Sequence, residues 1–146
     1  MNNVTAWIEG VPVAKARPRV TMVGGKARAY TPKKSADWER EIQRQIDCPL
    51  TEGPIMLTVV CRVPIPQSWS GKRKADAEAG LIWPTSRPDV DNYAKAVMDA
   101  LNGIAYNDDS QVVCLTSRKQ YAAVPGVLIQ ITPWVPDRLY RCLFSL

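Results

Sequence analysis

The central apolar run of the sequence is Ile55-Met-Leu-Thr-Val-Val-Cys-Arg-Val63, and prolines bound it on both sides. The run is short and rich in β-branched residues, so it predicts a strand and not a helix. A similar pattern predicts a first strand from Val4 to Glu9. Two further strands are predicted over Gln111 to Lys119 and Val127 to Ile131, joined by a turn through Pro125-Gly126.

Helices are predicted between these strands. Thr31 is a suitable helix cap with Pro32 at the first position, and the helix should run to about Asp47. Its apolar residues recur every four positions, at Trp38, Ile42 and Ile46. A short helix is predicted from about Gly71 to Ala79, capped within Ser68-Trp69-Ser70.

A third helix is predicted from Asn92 to Leu101, stopped by Asn102-Gly103. The resulting order, β-α-β-(α)-α-β-β, indicates an α+β fold in which a mixed sheet packs against helices. The 146 residues fit a single domain spanning 1–146. Within it we expect a basic N-terminal loop at about 14–30, a basic insertion at about 64–84 and an apolar C-terminal tail at about 133–146.

The composition excludes several classes of protein. No apolar run approaches the roughly 18 residues that a membrane span requires. The N-terminus is too polar for a signal peptide, so we expect a cytoplasmic protein. The chain has four cysteines without a C-x-x-C pair and no histidine, which argues against zinc sites and histidine catalysis. Reduced thiols in core or edge positions are the expected state of the cysteines.

The charge distribution indicates an anionic partner. The net charge is +5, and residues 1–74 hold 13 Lys/Arg against 6 Asp/Glu, whereas residues 75–146 hold 6 against 8. A basic arm attached to an acidic centre fits phosphate binding when a cation lies between the acids and the phosphate. The expected phosphate contacts come from both basic segments and from the start of the acidic centre: Arg17, Arg19, Lys26, Arg28, Lys33, Lys72, Arg73, Lys74 and Arg87.

The acidic centre is Arg87-Pro-Asp-Val-Asp-Asn-Tyr-Ala-Lys-Ala-Val-Met-Asp-Ala-Leu-Asn-Gly103. Pro88 favours extended backbone before it, so Asp89 and Asp91 are expected to point to the same side and to share one ion. With Asp91 at the helix cap, residues at intervals of four stack along one helical face. That face carries Lys95 and Asp99 and points back to the loop that holds Asp108 and Asp109.

This arrangement favours a magnesium site, with Mn²⁺ as an alternative ion and no organic cofactor. Mg²⁺ takes oxygen ligands and retains several waters, so two or three aspartates from separate elements are a suitable shell. Without histidine, the nucleophile would be a water activated by the cation. Lys95, beside the carboxylates, would contact the scissile phosphate or stabilise developing charge.

Taken singly, each of these residues also fits a structural role, as a helix cap, a turn residue or a member of an exposed ion pair. A phosphatase of the haloacid dehalogenase type would place its first aspartate at the end of an apolar strand, but here Thr85-Ser-Arg-Pro88 precedes Asp89. An EF-hand would need a third acid and a glycine after Asp91 at the loop spacing. The combination of D-x-D, lysine, aspartate and D-D in one short stretch favours a nuclease.

The sequence resembles the RusA-type Holliday junction resolvases, particularly those carried by phages and prophages. The resemblance covers most of the chain and rests on Ala16-Arg-Pro-Arg19, Tyr30-Thr-Pro32, Ser68-Trp-Ser-Gly-Lys-Arg-Lys74, Arg87-Pro-Asp-Val-Asp-Asn92, Asp99-Ala-Leu-Asn-Gly103, Asp108-Asp-Ser-Gln-Val112 and Lys119. It implies a homodimer that binds four-way DNA junctions and makes paired nicks with Mg²⁺. The catalytic carboxylates it implies are Asp89, Asp91 and Asp109.

The resemblance also makes Lys95 the essential basic neighbour of these acids, with Asp99 and Lys119 as supporting residues. The tail carries Trp134, Leu143 and Phe144, which suit a subunit contact. Two further functions stay open at this point. One is a non-catalytic module that binds branched DNA, and the second is a structural partner in a phage complex.

Overall fold

The computed structural model describes residues 3–134, and its centre is a four-stranded sheet. The strand order is β1-β6-β4-β5, with β1–β6 and β6–β4 antiparallel and β4–β5 parallel. The strands are β1 (Val4–Glu9), β4 (Ile55–Pro64), β5 (Val112–Ala122) and β6 (Gly126–Pro133). Because β4 and β5 are parallel, the chain must cross from one end of the sheet to the other between them.

Two helices lie in that crossover, a third precedes β4, and helices cover one face of the sheet. The helices are α1 (Lys33–Gln45), α2 (Gly71–Glu78) and α3 (Val90–Leu101). Alternate residues of β4 and β6 point into one core with the inner faces of α1 and α3. The core includes Ile55, Leu57, Val59, Cys61, Val127, Ile129, Ile131, Trp38, Ile42, Val97 and Leu101. One stripe of α3 is therefore buried, and its opposite side can carry charged groups.

The predicted loop over residues 14–30 is wrong in part, because residues 19–30 form a hairpin. Strand β2 (Arg19–Val23) pairs with β3 (Lys26–Tyr30), and all ten strand residues are exposed. Gly24 and Gly25 form the turn with φ of +57° and +75°. Positive φ at both central residues gives the turn whose twist matches a hairpin. The glycine pair was the signal for this turn in the sequence.

The structure confirms the predicted strands and helices with shifted ends. Helix α1 has Pro32 as its cap, without a side-chain hydrogen bond, so the prediction that Thr31 caps it was wrong. Helix α3 begins at Val90, and its cap is Asp89 rather than Asp91. The backbone of Asp89 is extended, and helical geometry starts one residue later, which places Asp91 in the first turn.

Strands β5 and β6 follow one another in sequence but do not pair, because β4 lies between them. Three cysteines are free thiols, with Cys61 buried and Cys48 and Cys114 half-buried, as predicted. Burial raises the pKa of the Cys61 thiol to about 12. Cys142 and the apolar tail beyond Trp134 lie outside the described residues. No helix between residues 3 and 134 is long and apolar enough to cross a membrane.

Candidate active site

One face of α3 carries the charged residues that the sequence placed at intervals of four. The ammonium of Lys95 lies 2.9 Å from Oδ1 of Asp99, one helical turn further on. The Lys95 side chain is 51% exposed, whereas that of Asp99 is 20% exposed. Asp91, one turn before Lys95, is exposed, and its Oδ1 accepts a hydrogen bond from the backbone N–H of Asn92 at 2.9 Å.

The two acids of the Asp108-Asp109 pair have different roles. Asp108 caps a short 3₁₀-helix, Asp109–Gln111, and its Oδ1 accepts a hydrogen bond from the backbone N–H of Ser110 at 2.8 Å. Gln111 completes this capping box by accepting hydrogen bonds from the backbone of Asn107 and Asp108. Asp108 is therefore turned toward its own backbone. Asp109 is left to face α3.

Buried contacts and hydrogen bonds hold the turn between α3 and this 3₁₀-helix in place. Tyr106 is fully buried, and its hydroxyl donates a hydrogen bond to the backbone carbonyl of Met98 at 2.8 Å. Burial raises the pKa of Tyr106, and the nearby carboxylates add to this effect, so the hydroxyl stays protonated. Gln111 also donates to the carbonyls of Thr51 and Gly53, before β4. Asp109 is consequently held at a fixed distance from α3.

Lys95 joins the helix to this turn. Its Nζ lies 2.9 Å from Oδ2 of Asp109 and 2.9 Å from Oδ1 of Asp99. The hydrogen bonds to Asp109 and Asp99 raise the pKa of Lys95, although partial burial lowers it. Lys95 is therefore an ammonium at neutral pH and can donate hydrogen bonds to anions, but it cannot accept a proton there.

A second lysine, Lys15, lies on the other side of Asp99. Its Nζ is 2.8 Å from Oδ2 of Asp99 and 2.6 Å from Oε1 of Glu39 in α1. Its backbone N–H donates to the carbonyl of Asn92 at 2.8 Å. The sequence did not assign Lys15 or Glu39 to the site. The one signal in the sequence for this ion pair was Glu39 itself, a charged residue next to the buried Trp38 of α1.

The ion pairs shift the pKa values of Asp99 and Lys15 so that each side chain favours its charged form. Burial raises the pKa of Asp99, but the hydrogen bonds from Lys15 and Lys95 lower it by more, so the net shift is downward. Burial lowers the pKa of Lys15, but the hydrogen bonds to Asp99 and Glu39 raise it by more. Both side chains are therefore ionised at neutral pH.

Asp89 lies at the start of α3, where Lys119 fixes the preceding segment. The Lys119 ammonium, on β5, donates hydrogen bonds to the carbonyls of Ser86 at 2.6 Å and Pro88 at 2.8 Å. The Arg87–Pro88 peptide bond is cis. The Asp89 side chain is exposed and makes no capping hydrogen bond. Lys119 thus orients the backbone that presents Asp89.

The expectation that Asp89 and Asp91 project from one extended segment was wrong, because Asp91 already belongs to the helix. Within residues 3–134, no three acids lie close enough to form a metal shell in this arrangement. In the same range, neither Asp89 nor Asp91 is in an ion pair, while Asp109 is paired with Lys95. The donor atoms suit a hard cation such as Mg²⁺. To bind the cation, Asp109 would have to give up its ion pair with Lys95.

The family comparison accounts for this combination of residues. The family model described as Endodeoxyribonuclease RusA matches residues 9–132, which include every acid discussed above. The chain belongs to the RusA endodeoxyribonuclease family. It is also 40% identical to "Uncharacterized protein YqaN" of Bacillus subtilis (strain 168) over 138 residues, which cover 90% of this chain and 96% of that protein. As a member of the family it is a Holliday junction resolvase nuclease, which hydrolyses phosphodiester bonds and binds branched DNA.

The RusA family is metal-dependent in general, which agrees with the carboxylate donors of this chain.

The basic residues expected to contact DNA fall on two separate parts of the fold. In the hairpin, cross-strand partners point to the same side, and the pairs include Thr21 with Arg28 and Val23 with Lys26. Arg19, Lys26 and Arg28 therefore share one face. The other face carries Val20, Met22, Ala27 and Ala29. Arg17 and Lys33, at either side of the hairpin, are both exposed.

The second basic part of this RusA chain is the first turn of α2. Ser70 caps the helix by accepting a hydrogen bond from the backbone N–H of Arg73 at 3.3 Å, as predicted. The Arg73 guanidinium lies 3.9 Å from the ring centre of Trp69. Trp69 in turn packs edge-on against Tyr121 of β5, with ring centres 5.2 Å apart. Lys72 is exposed and Lys74 half-buried, so α2 presents its charges from a position fixed to the sheet.

Proposed function

We propose that this protein resolves four-way DNA junctions by paired, Mg²⁺-dependent nicks in two strands of like polarity. The observation that carries the proposal is the ion pair between Lys95 and Asp109, with the exposed Asp91 one helical turn before Lys95 and the exposed Asp89 at the cap of the same helix. This arrangement places an ammonium and carboxylates on one exposed surface, where phosphate and a divalent cation can bind together.

In this proposal Asp89, Asp91 and Asp109 hold the cation. Bound Mg²⁺ would activate a water as nucleophile and neutralise charge on the phosphate. Lys95 donates a hydrogen bond to the scissile phosphate once Asp109 has released it.

Asp99 and Lys119 act on these residues without touching the phosphate. Asp99 holds the far side of the Lys95 ammonium, and Lys119 fixes the backbone before Asp89. Asp108 stabilises the turn that carries Asp109. These contacts support the assignment of all three as supporting residues.

The DNA would lie across the exposed side of α3 and contact both basic parts of the fold. The proposed phosphate contacts are Arg17, Arg19, Lys26, Arg28, Lys33, Lys72, Arg73, Lys74 and Arg87. Phosphate contacts position a nucleic acid without reading its sequence, which suits an enzyme that selects a branched structure.

We propose a homodimer as the working unit. A junction must be nicked on two strands to give ligatable duplexes, and a two-fold dimer supplies two equivalent sites with the symmetry of the substrate. The exposed apolar face of the hairpin, with Val20 and Met22 each 67% exposed, is compatible with a subunit contact.

The test of the activity compares synthetic four-way junctions, linear duplexes and flaps, with Mg²⁺, with Mn²⁺ and with EDTA. The matched variants are Asp109→Asn and Asp108→Asn, which make the same change at adjacent positions. Asp109→Asn should abolish cutting while junction binding survives or tightens, because less negative charge faces the phosphates. Asp108→Asn should keep most activity, because asparagine caps a helix as well as aspartate does.

Cutting by Asp109→Asn at the wild-type rate would remove this residue from the proposed ligands. Tight junction binding by the wild type without cleavage under any metal condition would favour the non-catalytic DNA-binding module. The dimer is tested by light scattering and by mixed dimers of wild type with Asp109→Asn, which should nick one strand of a cruciform plasmid and resolve it poorly. A monomeric mass with junction bound, or paired nicking by the mixed dimer, would contradict the two-site arrangement.

A further inference from the structure

Five side chains of alternating charge form a continuous chain across four parts of the fold. The order is Glu39, Lys15, Asp99, Lys95 and Asp109, and successive charged atoms are separated by 2.6, 2.8, 2.9 and 2.9 Å. Only the last two belong to the proposed cation and phosphate site. The first two connect that site to α1 and to the segment after β1.

Asp99 is the branch point of this chain. Each of its carboxylate oxygens is bound by a different lysine, Oδ2 by Lys15 and Oδ1 by Lys95. The Asp99 side chain is only 20% exposed, so water has little access to replace either lysine. The strength with which Asp99 holds Lys95 therefore depends on whether Lys15 is present.

We propose that Lys15 is a positioning residue that neutralises Asp99 and so allows Lys95 to reach the scissile phosphate. This inference rests on the proposed function, because it concerns the same site. Without Lys15, Lys95 is the one remaining lysine beside Asp99 in the described part of the chain, and both carboxylate oxygens are open to it. Lys95 is then drawn toward Asp99, away from Asp109 and from the phosphate.

The fold holds Lys15 in a defined position. Its backbone N–H donates to the carbonyl of Asn92 in the first turn of α3, and its ammonium is shared with Glu39 of α1. Its side chain is 21% exposed, compared with 51% for Lys95. Because two carboxylates hold its ammonium, Lys15 can keep the charge of Asp99 neutralised. The more exposed Lys95 can move between Asp109 and the phosphate.

The removal of Lys15 should have opposite effects on chemistry and on cation binding. Lys15→Met should lower the turnover of junction cleavage by roughly 10–100-fold, which is the range for residues that orient an active-site ligand through a hydrogen bond to it. The KM for the junction should stay unchanged, because Lys15 does not face the DNA. Binding of Mg²⁺ or Mn²⁺ in the absence of DNA should tighten, because the site gains one negative charge and Asp109 is freed from Lys95.

The experiment measures cleavage kinetics on a synthetic four-way junction and titrates Mn²⁺ into the free protein by calorimetry. The matched control is Lys34→Met, an exposed lysine of α1 that makes no ion pair within the described part of the chain. It removes the same charge and should change neither quantity. Lys15→Arg should restore much of the turnover, since it restores the charge beside Asp99.

A merely structural role for Lys15 would weaken cation binding together with turnover, and this result would overturn the proposal. A rise in the junction KM at constant turnover would also overturn it, because Lys15 would then be a DNA contact. If Lys15→Met does not fold, Glu39→Gln decides the question through a smaller loss of turnover with unchanged KM. If the wild type does not cut junctions, the proposed function fails, and unchanged Mn²⁺ affinity in Lys15→Met would separately refute the role of Lys15.

Discussion

Replacement of Lys119 by methionine tests how the segment before Asp89 is held. The Lys119 ammonium donates two hydrogen bonds, 2.6 Å to the carbonyl of Ser86 and 2.8 Å to that of Pro88. Methionine preserves the length and most of the apolar contact of the side chain, but it removes both donors. The carbonyls of the segment are exposed and can be solvated afterwards.

The expected cost follows from these two contacts. A hydrogen bond to a charged group contributes about 1.5–3 kcal/mol, and the exposure of both carbonyls places these two below that range. We expect the two together to contribute about 2 kcal/mol. For a chain of this size, such a loss lowers Tm by roughly 4–8 °C. The same loss lets Asp89 move, so turnover should fall by about tenfold, as for other groups that orient a ligand.

Thermal unfolding followed by circular dichroism gives the first quantity, and nicking of a four-way junction gives the second. Lys34→Met serves as the control, because it removes the same charge from an exposed site. If Lys119→Met retains both the Tm and the turnover of the wild type, the two hydrogen bonds do not position Asp89, and the role assigned to Lys119 is wrong.

Three further predictions address the DNA surface, the sheet and the ion pairs. Arg28→Ala should reduce the slope of log affinity against log salt by about 0.9 in magnitude, while Met22→Ala, on the opposite face of the hairpin, should leave it unchanged. Gly126→Ala should cost about 1–3 kcal/mol in urea denaturation, because a Cβ there would overlap the ring of Trp7, and an equally stable variant would contradict this packing. The pKa of Asp99 is lowered from 3.8, so its ion pairs stabilise the fold above that pH and the contribution is lost as the pH falls through the lowered value. The stability difference between wild type and Asp99→Asn should therefore persist at neutral pH and shrink in strong acid, whereas a constant difference would exclude the ion pairs as its source.

The sequence by itself determined the elements whose signals are local. The β-branched run from Ile55 to Val63 identified a strand, and apolar residues at helical spacing identified α1 and α3, because side-chain periodicity follows directly from backbone geometry. It also determined that Lys95 and Asp99 face the same side of α3, since residues four apart are neighbours on any helix. The family resemblance also rests on short local motifs, such as Arg87-Pro-Asp-Val-Asp-Asn92 and Asp108-Asp-Ser-Gln-Val112.

Local signals were less informative at the ends of elements. Asp89 and Asp91 are both good helix caps, and the sequence alone did not show that the helix begins directly after Asp89. The hairpin of residues 19–30 carried a glycine-pair signal and alternates polar with apolar residues, but its basic residues and turn formers together are typical of an exposed loop. Basic residues therefore indicated a loop where pairing between two strands decided the structure.

Only the tertiary structure decided which distant residues meet. The order β1-β6-β4-β5 places β4 between two strands that are consecutive in sequence, because parallel pairing with β5 requires the helical crossover. Asp109 and not Asp108 reaches Lys95, because the capping box turns Asp108 toward its own backbone. Lys15 meets Asp99 across 84 positions of sequence. No periodicity spans such a distance, and the contact exists because α1 and α3 pack side by side on one face of the sheet.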